Sequence, residues 1–143
     1  MQIKFTHLCT LALLLGMLQA SIAQEGSYIV KRQLFKVPLT SVNISPDGKV
    51  LLAGFDDGSF RLLDPDSFHT LLEVKDAHDK AVNAMDMPPN MDFILTAGRN
   101  YIKLWDKDGN YLFDWKGHAT TIWNAEISKD GKWAVSSAMN KTF

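Results

Sequence analysis

With 143 residues, of which 46% are apolar and 22% charged, the chain has the length and composition of one ordinary globular domain at most. A formal net charge of −1 leaves no basic excess to draw nucleic acid or an anionic membrane surface, so neither is expected as a partner. The one cysteine, Cys9, lies in a segment expected to be removed, which excludes disulfides, thiol chemistry and cysteine metal sites from the mature chain.

That segment comes first. Lys4 is the only charge before Glu25, an apolar run extends from Leu8 to Met17, and Ser21-Ile22-Ala23 sets small residues where a signal peptidase reads. The apolar run is too short to span a bilayer comfortably. Cys9 precedes most of it, whereas a bacterial lipid-attachment cysteine would follow it. Residues 1–23 therefore read as a signal peptide cleaved after Ala23, and the product as secreted or periplasmic, with no membrane span once the leader is gone. Loss of Lys4 takes the formal charge from −1 to −2, and stability must come from packing alone.

Short strands and turn signals fill the rest. Residues 24–36 lead in, with Tyr28-Ile29-Val30 as a strand. Strands are then expected at Leu39–Ser45 (Val42 and Ile44 pointing inward), Val50–Gly54, Phe60–Asp64 and Thr70–Val74. Pro46-Asp47-Gly48 and Asp56-Asp57-Gly58 mark tight turns, because Asp-Gly pairs accept the positive φ that hairpins demand. A second set follows at Val82–Met87, Phe93–Ala97, Tyr101–Asp106 and Tyr111–Trp115, with Pro88 and Pro89 stiffening one turn. A third opens with Ile122–Ser128 and Trp133–Ser137. No helical-period run with capping residues is present.

The sets repeat. Ser45-Pro46-Asp47-Gly48-Lys49 returns 83 residues later as Ser128-Lys129-Asp130-Gly131-Lys132, with a weaker copy at 88–92 between them. Ala77-His78 and Gly117-His118 lie 40 residues apart, and Phe35 holds the same register 43 residues before His78. A period near forty with four short strands is the signature of a propeller blade. The stretch from Ser45 to Asp64 resembles the core of a WD-repeat almost position for position. Leu63-Asp64 stands where that family has Trp-Asp, and Trp105-Asp106 carries the pair itself. The resemblance implies an all-β fold: a partial WD-repeat-type β-propeller of four-stranded antiparallel blades, preceded by a signal peptide. Residues 37–143 would form the incomplete propeller, with repeats at about 35–77, 78–117 and 118–143, the last stopping before its third strand. Residues 24–36 would supply an outer strand to a closing blade. The chain thus reads as an N-terminal fragment of about two and a half repeats.

In this family a His, a Ser or Thr, an Asp and the Trp form a buried network within a blade, since an indole N–H buried between sheets needs an acceptor. The resemblance assigns those roles to His78, Thr96 and Trp105 in the second repeat, where Arg99-Asn100 replaces the Asp. It assigns Asp57 and Ser59 in the first, where Phe35 and Leu63 replace His and Trp, and His118 and Ser136 in the third, where Asn140 takes the Asp position. Asp64 and Asp106 complete the Trp-Asp positions. The histidines read as structural rather than catalytic, and His69 as a surface residue. Asp106-Lys107-Asp108-Gly109-Asn110 reads as a hairpin turn, because a calcium loop would need Gly and Glu where Tyr111 and Gly117 stand. No metal or cofactor is expected. The patterns Asn43-Ile44-Ser45 and Asn140-Lys141-Thr142 read as chance glycosylation matches.

Two functions stay open. One is a protein- or peptide-binding scaffold without catalysis, whose ring face would collect Phe55, Asp56, Lys80, Arg99, Asn100 and Thr120 to Trp123. The other is a piece of a propeller enzyme, a hydrolase, lyase or oxidoreductase, with its site in other blades. No nucleophile elbow, zinc-protease motif or phosphate loop is present. Open strand edges beside apolar flanks imply self-association of residues 24–143.

Overall fold

The computed structural model describes residues 2–6, 27–31 and 33–139. Most of the expected leader, its cleavage point at Ala23, Asn140 and the second glycosylation pattern lie outside these residues. Residues 1–34 and 35–143 are two compact units. In the first, β1 (Gln2–Thr6) pairs antiparallel with β2 (Ser27–Lys31), Gln2 opposite Lys31 and Thr6 opposite Ser27. The strand expected at Tyr28–Val30 is present within β2, which pairs with β1.

The second unit is built of strands. One four-stranded antiparallel sheet, in spatial order β3-β4-β5-β6, comprises Leu39–Ile44, Leu51–Phe55, Phe60–Leu63 and Thr70–Val74. The next, β7-β8-β9-β10, comprises Ala84–Asp86, Phe93–Ala97, Tyr101–Asp106 and Tyr111–Lys116. The third pairs β11 (Ile122–Ile127) with β12 (Ala134–Ala138). These are two complete blades and half of another, with chain order equal to spatial order, as a sequence of hairpins dictates. No helix among the described residues is long and apolar enough to cross a membrane.

Local chemistry explains the repeated turns. Ser45 Oγ donates to Asp47 Oδ1 (2.7 Å) and accepts from Val50 N–H (2.9 Å). Ser128 does the same toward Asp130 (2.5 Å) and Trp133 N–H (3.0 Å). Gly48 and Gly131 sit at φ of 74° and 69° in these turns. In the middle copy the equivalent position is Met91, also left-handed at φ 54°, a conformation that strains any side-chain-bearing residue by about 1–2 kcal/mol. Gly58 (φ 83°) is required twice, since a Cβ there would also run into the His78 carbonyl oxygen.

Two apolar layers lie between neighbouring blades. Leu52, Phe60, Leu62, Val82, Met85, Ile94 and Trp105 fill the first, between β3-β6 and β7-β10. Ala84, Leu95, Ala97, Leu104, Ile122 and Ala125 fill the second, between β7-β10 and the third sheet. On the far face of the first blade Phe35, Val37 and Leu51 gather around Ala53, Phe55 and Leu63.

Three expectations need correction. Val42 and Ile44 do not point inward: they are 63% and 49% exposed, on the face turned away from the second blade. It is their neighbours Ser41 and Asn43 that face it, donating to Val82 O (2.9 Å) and Met85 O (3.1 Å). The inner strand expected at Val82–Met87 shortens to Ala84–Asp86, because Val82 N–H is spent on Phe55 O in the preceding blade (3.0 Å). Phe55 is wholly buried, with its ring edge-on to Phe35 at 5.2 Å and the Arg61 guanidinium 4.6 Å above it, so it belongs to the core and not to a binding face.

Candidate functional site

The second blade holds the expected polar set. Trp105 is only 6% exposed, and its indole N–H donates to Thr96 Oγ1 at 2.8 Å. His78 Nε2 lies 2.8 Å from the same oxygen. A hydroxyl that accepts from the indole can donate its own proton to Nε2, which places the ring proton on Nδ1. Nδ1 is buried without a hydrogen-bond partner, against Gly98, where any Cβ would collide with it. This orphan is the physical trace of the missing Asp: Arg99-Asn100 stands where the first blade has Asp57. Burial, with the nearby Lys103 ammonium adding to it, lowers the His78 pKa to about 4 and keeps the ring neutral. A buried neutral imidazole locked between a hydroxyl and a glycine is a strut.

In the first blade the set is replaced as a group. Phe35, Ala53 and Leu63, which hold the registers of His78, Thr96 and Trp105, pack as one apolar cluster. Ser59 is not the hydroxyl of the network. It donates to Asp57 Oδ1 at 2.6 Å within its own turn, and that bond leads the causes that lower the Asp57 pKa. In the third sheet His118 Nε2 and Ser136 Oγ stand 2.8 Å apart, repeating the His78–Thr96 contact. Asp64 and Asp106 act alike at the ends of β5 and β9. Asp64 Oδ1 accepts from Ser67 N–H and Oγ, each at 2.7 Å, and Asp106 accepts from Asn110 N–H and Nδ2, each at 2.8 Å.

Sequence reading missed Asp86. Its Oδ2 accepts from Ile127 N–H (2.7 Å) in the third sheet, and its Oδ1 accepts from Asn43 Nδ2 (3.3 Å) in the first, so one carboxylate ties three blades at their inner strands. A charged residue within an otherwise apolar inner strand was the available signal.

The face-forming residues separate by end. At one end the β4–β5 and β8–β9 turns meet the segments that link blades, through His78 N–H to Gly58 O (3.0 Å) and Ile122 N–H to Arg99 O (2.7 Å). Here Lys80, Asn83, Arg99, Thr121 and Trp123 line a cavity of about 250 Å³. Of the expected binding-face residues, Lys80, Arg99, Thr121 and Trp123 thus share one recess. Asp56 is exposed on the β4–β5 turn and does not line it, and Phe55 is buried. Trp123 is 57% exposed, and a bulge between Ile122 and Asn124 turns it out of the ladder. Asn83 Nδ2 donates to Ile122 O (2.9 Å) and fixes the wall. Arg99 and Asp79 form a loose, largely solvated pair at 3.9 Å.

A second recess, of about 370 Å³, is apolar. Phe93, Ile102, Leu104 and Trp115 of the second blade form one side, and Ile127 and Trp133 of the third sheet the other, with Trp133 75% exposed. It flanks β12, whose outer edge carries no strand among the described residues. No group of three or more potential metal ligands occurs among the described residues.

Four-stranded antiparallel sheets stacked in chain order, with a His–Thr–Trp strut within the second, define a WD-repeat β-propeller fold. Residues 32–64, 69–106 and 109–143 match the family described as WD domain, G-beta repeat, and the chain belongs to that family. Among solved structures it is similar to the RRP9 WD40 repeats (TM-score 0.67, 16% identity, 73% of this chain and 33% of that one). It is also similar to the Myceliophteria thermophila Cps50 (Swd1) β-propeller domain (TM-score 0.64, 18% identity, 72% and 33%) and to U3-55K (TM-score 0.67, 16% identity, 73% and 34%). The chain spans about a third of the length of these chains, and at such identities the likeness is one of fold.

Proposed function

We propose that the chain acts as a protein-binding scaffold with no chemistry of its own, and that its contact surface is the rim around Lys80, Arg99 and Trp123. The observation that carries this reading is the exposed Trp123 beside two cations in a walled recess. Tryptophan and arginine dominate the energetics of protein interfaces, and a half-exposed indole costs a lone domain solvation that a partner would recover. In the double variant Trp123→Ala/Arg99→Ala, proteins that co-purify with the full chain from the cells that produce it should be reduced about tenfold or more. Lys129→Ala, in the β11–β12 turn at the opposite end, should leave them unchanged. Equal retention by both variants would refute the rim as the contact surface.

The leader is part of the same proposal. Export would place the scaffold in an extracytoplasmic compartment, consistent with a mature chain that needs no thiol. N-terminal sequencing of exported protein should begin at Gln24, and a soluble cytoplasmic product retaining Met1 would overturn it. Cleavage would also remove β1 from its pairing with β2.

A further inference from the structure

Resting on the proposed rim, the cavity's chemistry narrows the kind of partner. Its volume of about 250 Å³ is below the range of small-molecule sites and suits one or two side chains of a peptide. Its charge is what remains when Asp79 is set against Lys80 and Arg99: one uncompensated positive charge, matched by one carboxylate. A phosphate near two negative charges would be left under-neutralised beside Asp79. An apolar surface lies alongside, the Trp123 ring. The hydrogen bonds of the wall are already allotted: Ile122 N–H goes to Arg99 O, Ile122 O accepts from Asn83 Nδ2, and Thr121 O accepts from Met139 N–H. Among the described residues Asn83 Oδ1 has no such bond, and it is an acceptor for a peptide N–H.

We infer that this recess binds a segment of a partner protein in which an Asp or Glu is adjacent to a large apolar residue. The carboxylate sits between Lys80 Nζ and the Arg99 guanidinium, a charge-assisted pairing that Arg's fork favours. The apolar side chain covers Trp123, and the intervening backbone N–H meets Asn83 Oδ1. Lys80 and Arg99 steer the approach, so binding weakens as salt rises.

The probe is a positional-scanning library of acetylated, amidated octapeptides, including phosphoserine, presented to the full chain at low and at moderate salt. The expected result is enrichment of Asp and Glu next to Leu, Ile, Phe or Tyr. Arg99→Ala should weaken the selected peptides about tenfold, and Lys80→Glu/Arg99→Glu should move the preference to Lys and Arg. Preference for phosphoserine over Asp and Glu, a profile unchanged by the charge reversal, or no selection at all would overturn the inference. Loss of co-purifying proteins in the rim variants together with a neutral or phosphate-seeking profile would leave the rim in place and remove only the acidic partner. Retention of those proteins would remove the rim itself.

Discussion

Trp105→Ala should destabilise the chain by about 3–5 kcal/mol, the usual loss for deleting a buried large aromatic. The indole lies against Phe60 (centroids 5.4 Å apart) and Tyr111 (5.7 Å), so its removal opens the layer between the first two blades and strips Thr96 of its donor. Trp105→Phe keeps most of the packing and loses the N–H, and should cost only about 1–2 kcal/mol. Urea unfolding of the full chain, followed by far-UV circular dichroism, separates the two. A loss below about 1 kcal/mol for the alanine variant would mean that Trp105 is not the wedge between blades.

Stability should fall on mild acidification because of His78. Its folded pKa is depressed to about 4, chiefly by burial and then by Lys103, against an ordinary value of 6.5. The folded state therefore binds its proton later than the unfolded chain. The contribution is complete above pH 6.5, declines as pH falls through 6.5, and is lost by about pH 4, a change of about 3 kcal/mol. His78→Gln, which cannot titrate, should flatten the urea midpoint over that window relative to the parent, with the difference isolating His78 from His69 and His118. Parallel pH profiles for both would show that the imidazole is charged or solvated in the fold.

Much of the architecture was legible because it is written locally. Asp47-Gly48 and Asp130-Gly131 encode the same turn by the same serine and aspartate bonds, so the period appears in the chemistry of four or five residues. The His78–Thr96–Trp105 set was legible for a similar reason: each member sits at a fixed offset from a turn. Which face of a strand has a neighbour is not local. Alternation says that Val42 and Ile44 share a face, but only the packing of whole blades shows that this face looks away from the core. Phe55 was misplaced because a central strand is buried on both faces and its last residue looks like a turn residue in sequence. Asp86 escaped because its partners come from strands 41 and 43 residues away.

The sheet edges follow from the same packing. The outer edge of β12, beside the apolar recess with Trp133, and the exposed Val42–Ile44 face are surfaces of the kind that pair with other chains. We propose that they make residues 24–143 self-associate. The central claim is that, among the described residues, the second blade is covered on both faces while the third sheet is open along the outer edge of β12. Site-resolved hydrogen exchange, run on a sample whose oligomeric state is followed by sedimentation, tests it most directly. Amides of Phe93–Ala97, a strand paired on both sides, should be protected about a hundredfold more than those of Ala134–Ala138, with association rising with concentration. A monodisperse monomer in which Ala134–Ala138 is protected as strongly as Phe93–Ala97 would contradict the account.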